Sequence, residues 1–331
     1  ILQFSVEPFG TKDEEILIKM NDWLKVFNGR ILTPIEIITA CLKNKYSWNL
    51  WNKIYKSDVV KKAHLEIDDI YLINAEDLYE YILISFFSSS FFGIKSLPLY
   101  RYRLFSGIST NNVNISLFQF YNFCKEVSII DKLISFFNSK SLIDIDLKNY
   151  ISLLSELRKK FLSNCVAKYC QINISNSVEG FEKLLEFFKP SDILKEFSKV
   201  LKESNILEFI NGEYFCNKFT VKREIKTIAF FYHRMFSGGV ERVISLQIPI
   251  FFKMGFKIIL FTDQINLDKE YPIDVPITRI ILPSNYKKNR GAEFEKALIE
   301  NHVDVVLYHA GSSMEILYDL MLIKSIGISS I

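Results

Sequence analysis

Two neighbouring acids, Glu76 and Asp77, stand near the head of the apolar segment "NAEDLYEYILISFF". Two neighbouring glycines, Gly238 and Gly239, stand in "MFSGGVERVISL", and His309 ends "DVVLYHA". Carboxylates in the first turn of a helix complement its dipole, which is the plain reading of the acids. Paired glycines before a helix let backbone approach a ligand and leave N–H groups free to receive a phosphate. They can equally form only a tight turn between a strand and a helix. The spacing is not G-x-G-x-x-G, and no G-x-x-x-x-G-K-[ST] occurs, so the dinucleotide and P-loop readings are weak. A histidine at a strand end, before Gly-Ser-Ser, is either a structural ring or an acid–base group facing a cleft.

These residues fall in blocks of different pattern. Residues 1–110 mix short extended runs ("ILQFSV", "FFGIKSLPLYRYRLF") with helices. "TPIE" supplies an N-cap, a proline at the first helical position and a Glu three residues after the cap, which predicts a helix through "IEIITACLKN". "WNLWNKIYKSDVVKKA" passes from a strand-like aromatic stretch to a short helix, and "AEDLYEYILISFF" predicts a longer one. In residues 111–221 apolar side chains recur at three- and four-residue spacing, the mark of amphipathic helices. From residue 222 the pattern is strand, glycine loop, helix, Gly255 as a helix stop, and a second apolar strand "KIILFTD". "ITRIILP", "EFEKALIENH", "DVVLYHA", "MEILYDLMLIK" and "GISSI" continue the alternation, which predicts an α/β domain with a parallel, doubly wound sheet.

Composition limits the function classes. With 49% hydrophobic residues and only 12 Gly and 8 Pro among 331, the chain reads as ordered, helix-rich and of more than one domain. The net charge of +3 gives no basic stripe and no case for nucleic acid. The five cysteines are scattered, without metal-ligand spacing, and read as reduced cytoplasmic thiols. The longest uncharged apolar run, Tyr81 to Ile94, is too short and serine-rich to span a bilayer. Without an initiator Met, and stopping inside an apolar segment, the sequence reads as an excerpt of a longer chain.

Two resemblances add to this. "KTIAFFYHRMFSGGVERVISLQIPIFFKMGFKIILFTD" followed by "VDVVLYHAGSS" resembles the amino-terminal domain of family 4 glycosyltransferases, covering residues 225–331. That likeness implies a GT-B fold of two Rossmann-like domains, with Gly238, Gly239 and His309 facing the cleft near the donor phosphates or the acceptor. Glu241 and Arg242 would serve the helix. "WNKIYKSDVV", "NAEDLYEYILISFF" and "LPLYRYRLFSGIST" resemble, in order and spacing, the carboxyl-terminal half of family 2 glycosyltransferases. That likeness implies a GT-A fold, a nucleotide-sugar donor and a divalent metal, Mg or Mn, whose D-x-D ligands are not in this chain. It also implies that Asp77, with Glu76 as neighbour, takes the proton from an acceptor hydroxyl. Trp48, Trp51 and Tyr55 would stack on a sugar or pack in the core; Arg101 and Arg103 would meet a diphosphate or face solvent.

The expectation is therefore a partial GT-A domain (1–110), a helical connector (111–221) and a truncated Rossmann-like GT-B amino-terminal domain (222–331). The parent chain would be a bifunctional transferase moving sugars from nucleotide-sugar donors to a glycan or lipid-linked acceptor, in surface polysaccharide or glycolipid synthesis. It would work in the cytoplasm, with peripheral association at the inner face of the membrane, and the excerpt alone would have little turnover. The rival readings are a non-catalytic scaffold and a plain nucleotide-binding Rossmann module.

Overall fold

The computed structural model describes the chain except residues 27–29, 44, 46, 69–74, 96, 105–114, 141–144, 173–175, 201–223, 237, 284–288 and 310–313. The tail of the "LPLYRYRLFSGIST" motif and the Gly-Ser-Ser after His309 lie outside the described residues. The chain forms two compact units, Ile1–Asn173 and Ile174–Ile331.

In the first unit, β1 (Leu2–Phe4) lies between β3 (Lys53–Ile54) and β4 (Phe92–Ile94), while β2 (Val6–Phe9) pairs in parallel with β5 (Tyr100–Arg103). The helices are α1 (Glu14–Leu24), α2 (Pro34–Leu42), α3 (Ser57–His64), α4 (Glu76–Phe87), α5 (Leu117–Lys125), α6 (Val127–Ser139) and α7 (Ile145–Tyr169). Helix α2 starts where "TPIE" predicts: the Thr33 hydroxyl accepts from the Glu36 N–H at 3.3 Å, and the Glu36 carboxylate accepts from the Thr33 N–H at 2.9 Å. Two otherwise orphaned donors are thereby satisfied. Helix α4 is apolar almost all round, because one core surrounds it: Ile38 and Cys41 of α2, Ile130 and Leu133 of α6, and Leu154 of α7 all belong to that core. The amphipathic stretch expected as a connector is therefore shared. Helices α5–α7 fall in the first unit, and α8 (Ser177–Leu185) and α9 (Pro190–Val200) in the second.

The second unit carries a five-stranded parallel sheet in the order β10-β9-β6-β7-β8, flanked by helices and Rossmann-like in kind. Its strands are β6 (Thr227–Phe231), β7 (Lys257–Thr262), β8 (Thr278–Ile281), β9 (Val305–Tyr308) and β10 (Ser329–Ser330). Between them run α10 (Gly239–Lys253), α11 (Arg290–Glu300) and α12 (Met314–Ser325). All five residues of β6 are buried, so the strand reads as a continuous apolar run rather than an alternating one. Phe230 meets Phe251 of α10, and Phe231 meets Phe294 of α11, so consecutive side chains serve opposite faces of the sheet. Gly255 adopts φ +94° after α10, where the Gly255 N–H donates to Phe252 O and the Phe256 N–H to Phe251 O. This left-handed stop is the role its sequence position predicts. The Asp304 carboxylate accepts from the N–H groups of Lys226 and Thr227 at 2.8 and 2.9 Å, fastening the start of β6 to the start of β9. Among the described residues no helix is long and apolar enough to cross a membrane.

Candidate functional site

In the first unit Asp77 sits in the first turn of α4, two residues after Ala75, whose φ of +62° is left-handed. A residue with a Cβ pays about 1 kcal/mol or more there, and such strain concentrates where geometry matters. Asp77 is half-buried and its carboxyl is raised above the ordinary range by burial, an effect opposed by a backbone hydrogen bond from Leu50 and by the nearby Lys53 charge. Glu76 is exposed. The segment supplying Leu50 also carries Trp51, whose ring stacks on Tyr102 of β5 (4.9 Å, 9°) and meets Tyr100 at 5.1 Å. Asp77 thus meets the Leu50 main chain, while the neighbouring Trp51 ring packs on β5. Trp48 meets Trp23 edge-on at 6.4 Å, and both Trp48 and Tyr55 pack against the core. Arg101 pairs with Glu7 at 2.9 Å, and Arg103 is exposed on the same strand face as Arg101, opposite Tyr102.

Behind that segment lies a residue the sequence reading did not single out. Lys53 is only 6% exposed. Its Nζ donates to Ser47 O at 3.2 Å, to Asn52 Oδ1 at 2.8 Å and to Asn49 O, and it lies 4.7 Å from the centre of the Tyr81 ring. Burial pushes its pKa down to about 7, against the opposing influence of Cys41 and Asp77.

In the second unit the strand order changes direction between β6 and β9, so the connections leaving their carboxyl ends diverge to opposite sides. An open α/β sheet offers its ligand crevice at that switch point. Gly238, Gly239 and His309 all lie on this edge. Gly238 is extended (φ −165°) and its missing Cβ has a local cause: a Cβ there would stand 2.2 Å from Glu241 Oε2. Glu241 is buried rather than a surface acid, with Arg234 Nε 3.8 Å from its carboxylate. It folds back against Gly238, the residue just before α10, and places negative charge at the helix's positive end. Gly239 is different, because a Cβ there would meet nothing within 4 Å. His309 stacks on Phe230 (6.2 Å, 3°); its Nε2 is buried with no partner among the described residues, and burial lowers its pKa.

The same edge carries a buried charge network that was not expected. Arg290, 1% exposed, contacts Asp319 through Nε at 3.1 Å and Nη2 at 2.6 Å, and reaches Asp263 Oδ1 (2.6 Å) and Pro283 O (2.9 Å) through Nη1. Burial alone would lower the Arg290 pKa, but Asp319 and Asp263 raise it, so the guanidinium stays charged. The Tyr308 hydroxyl donates to Asp319 at 2.6 Å, and burial and that carboxylate push the phenol far up. Asp263 Oδ2 lies 2.8 Å from Nδ1 of His233, a side chain 43% exposed just beyond β6. Two N–H groups, of Asp263 and Gln264, hold the His233 carbonyl at 3.0 Å. His233 is thereby fixed by main chain and ring alike. His309 and His233 leave the sheet on opposite faces, one with Phe230 and α10, the other with Phe231, Tyr308 and α11. One acid following an apolar strand, Asp263 in "LFTD", and one set inside the apolar helix stretch "EILYDLMLI", Asp319, were the only local signals; Arg290 carries none.

Among the described residues no three His, Cys, Asp or Glu come close enough together to hold a metal ion. No protein-family model matches the chain, and no curated protein matches it at a significant level.

Proposed function

We propose that the chain is part of a two-module glycosyltransferase that moves sugars from nucleotide-sugar donors to a glycan or lipid-linked acceptor. The first unit would belong to a GT-A module of family 2 type and the second unit's sheet to the amino-terminal domain of a GT-B module of family 4 type. The observation that carries the reading is Asp77: half-buried, raised by burial, steadied by Leu50, and set beside an aromatic segment. A carboxylate with a raised pKa is a better proton acceptor while still ionised near neutrality. The acceptor hydroxyl oxygen would attack the anomeric carbon, its proton passing to Asp77 and the nucleoside diphosphate leaving with the bonding electrons. The divalent metal such a module uses would be held by residues outside this chain, so no step is assigned to it. In the second unit the open Gly239 position and the switch point at the carboxyl ends of β6 and β9 suit a ligand's approach.

The test is Asp77→Asn in the complete parent protein, assayed for sugar transfer from UDP- and GDP-sugars. The substitution keeps size and removes the proton acceptor, so transfer by the first module should fall by about 10²-fold or more. Unchanged transfer removes Asp77 from the mechanism and favours a non-catalytic first module.

A further inference from the structure

We propose that Lys53 is the positioning residue for Asp77: its ammonium gathers the 47–52 segment so that the Leu50 N–H is presented to the Asp77 carboxylate. The inference deepens the proposed function and rests on reading Asp77 as the proton acceptor.

Three contacts of the ammonium each go to a different residue of one short segment: Ser47 O, Asn49 O and Asn52 Oδ1. A buried carbonyl turned inward costs free energy unless a donor meets it, so the ammonium is what makes this inward-facing segment tolerable. The same segment is tied to the sheet and to itself. The Phe4 N–H donates to Asn52 O, the Lys53 N–H to Leu50 O, and the Tyr55 hydroxyl to Leu50 O at 3.5 Å. The Leu50 carbonyl is thus occupied from below while its N–H serves Asp77. Lysine is suited to this because a compact ammonium directs three donors to separate acceptors, whereas a planar guanidinium favours a fork.

The coupling is titratable because the three acceptors that hold the Lys53 ammonium, Ser47 O, Asn49 O and Asn52 Oδ1, carry no charge. The groups that influence it are Cys41 from α2, whose thiol burial pushes up to about 12, and Asp77 from α4, with the Tyr81 ring above it. On the far side Asp77 also interacts with Tyr55 and Glu80, and Glu80 with Glu76 and His64. The folded-state value of Lys53 is lowered from 10.5 to about 7. Within the folded protein the ammonium therefore becomes amine as pH rises through about 7, and the charge acting on Asp77 disappears there.

The experiment follows carboxyl-¹³C aspartate and ¹³Cε lysine signals of the whole chain by NMR across about pH 4 to pH 9. The Asp77 signal is assigned by its loss in Asp77→Asn and the Lys53 signal by its loss in Lys53→Met. The expected result is an Asp77 main step above the ordinary aspartate range, and a second, smaller inflection at the pH where Lys53 titrates. A single-step Asp77 curve, flat through the Lys53 transition, overturns the proposal, as does a Lys53 midpoint near the ordinary lysine value. Both titrations are read on the unsubstituted protein, and for them the variants serve only to assign its two signals. In Lys53→Met, where it folds, the main step of Asp77 should move up and the second inflection vanish; a lower urea midpoint with Asp77 titration unmoved would make Lys53 merely structural. If Asp77→Asn leaves sugar transfer intact while the coupling is present, the proton-acceptor reading fails and the positioning stands.

Discussion

Replacing Arg290 with methionine keeps much of the apolar stem and removes the guanidinium. Asp319, 0% exposed, loses contacts at 2.6 and 3.1 Å, and Asp263 loses one at 2.6 Å. Summing those charge-assisted bonds singly would overshoot, because the wild-type pair also pays for desolvation. The relevant quantity is the cost of leaving buried carboxylates without their cation, about 3–5 kcal/mol. Set against a domain stability of about 5–15 kcal/mol, this threatens folding of the second unit. At a urea dependence of about 2 kcal/mol/M, the midpoint should fall by about 2 M. The probe must belong to that unit. All three tryptophans, Trp23, Trp48 and Trp51, lie in the first unit, so their fluorescence should stay nearly unchanged while native-state hydrogen exchange at the amides of β6 accelerates. Adding Asp319→Leu to Arg290→Met should recover more than half of the loss, since removing both charges also removes the desolvation cost. A midpoint shift below about 0.5 M for the single variant would refute the reasoning, because the network would then be compensated by solvent.

Gly238→Ala should cost the second unit about 1–3 kcal/mol by forcing the Glu241 carboxylate from its place 2.2 Å from the new Cβ. Glu241→Ala in the same chain should make the glycine substitution nearly neutral, and a double-mutant cycle by urea denaturation reads the difference; additive costs would sink the explanation. His309, lowered by burial from 6.5, binds its proton less readily folded than unfolded, so its share of stability is full above about pH 6.5 and is lost as pH falls through the folded value. His309→Gln should therefore flatten the acid side of the second unit's stability curve, and parallel curves for the two proteins would contradict this.

Local signals were legible where local chemistry decides. The Thr33–Glu36 capping box, the Gly255 stop and the apolar runs that became β6 and β7 each need only a few neighbouring residues to act. The connector was harder, because an amphipathic stripe says that a helix covers a core and not which one; α5–α7 and α8–α9 look alike in pattern and fall in different units. Glu241 read as an ordinary first-turn acid because its carboxylate's burial depends on the fold of the loop before it. Arg290 was illegible for a similar reason: its partners stand 27 and 29 residues away and meet it only once the end of β7 and the side of α12 come together at the start of α11.

The two buried cations separate by the charge of what surrounds them. Arg290 lies between two carboxylates, so the desolvation that would favour losing its proton is outweighed, and it remains a fixed charge at any pH the fold survives. Lys53 is met directly by two backbone carbonyls and a side-chain amide oxygen, which soften but do not repay the loss of water, so its pKa falls to about 7. Between about pH 7 and the ordinary lysine value the folded state then holds fewer protons than the unfolded chain, and this residue's contribution makes the first unit more stable as pH rises. That trend runs against the geometry of the site, because the ammonium, whose burial is the costly state, is also the form that gathers the 47–52 segment. A residue kept for stability alone would be better replaced by an apolar side chain, whereas one kept to hold Leu50 beside Asp77 has a reason to remain charged at that cost.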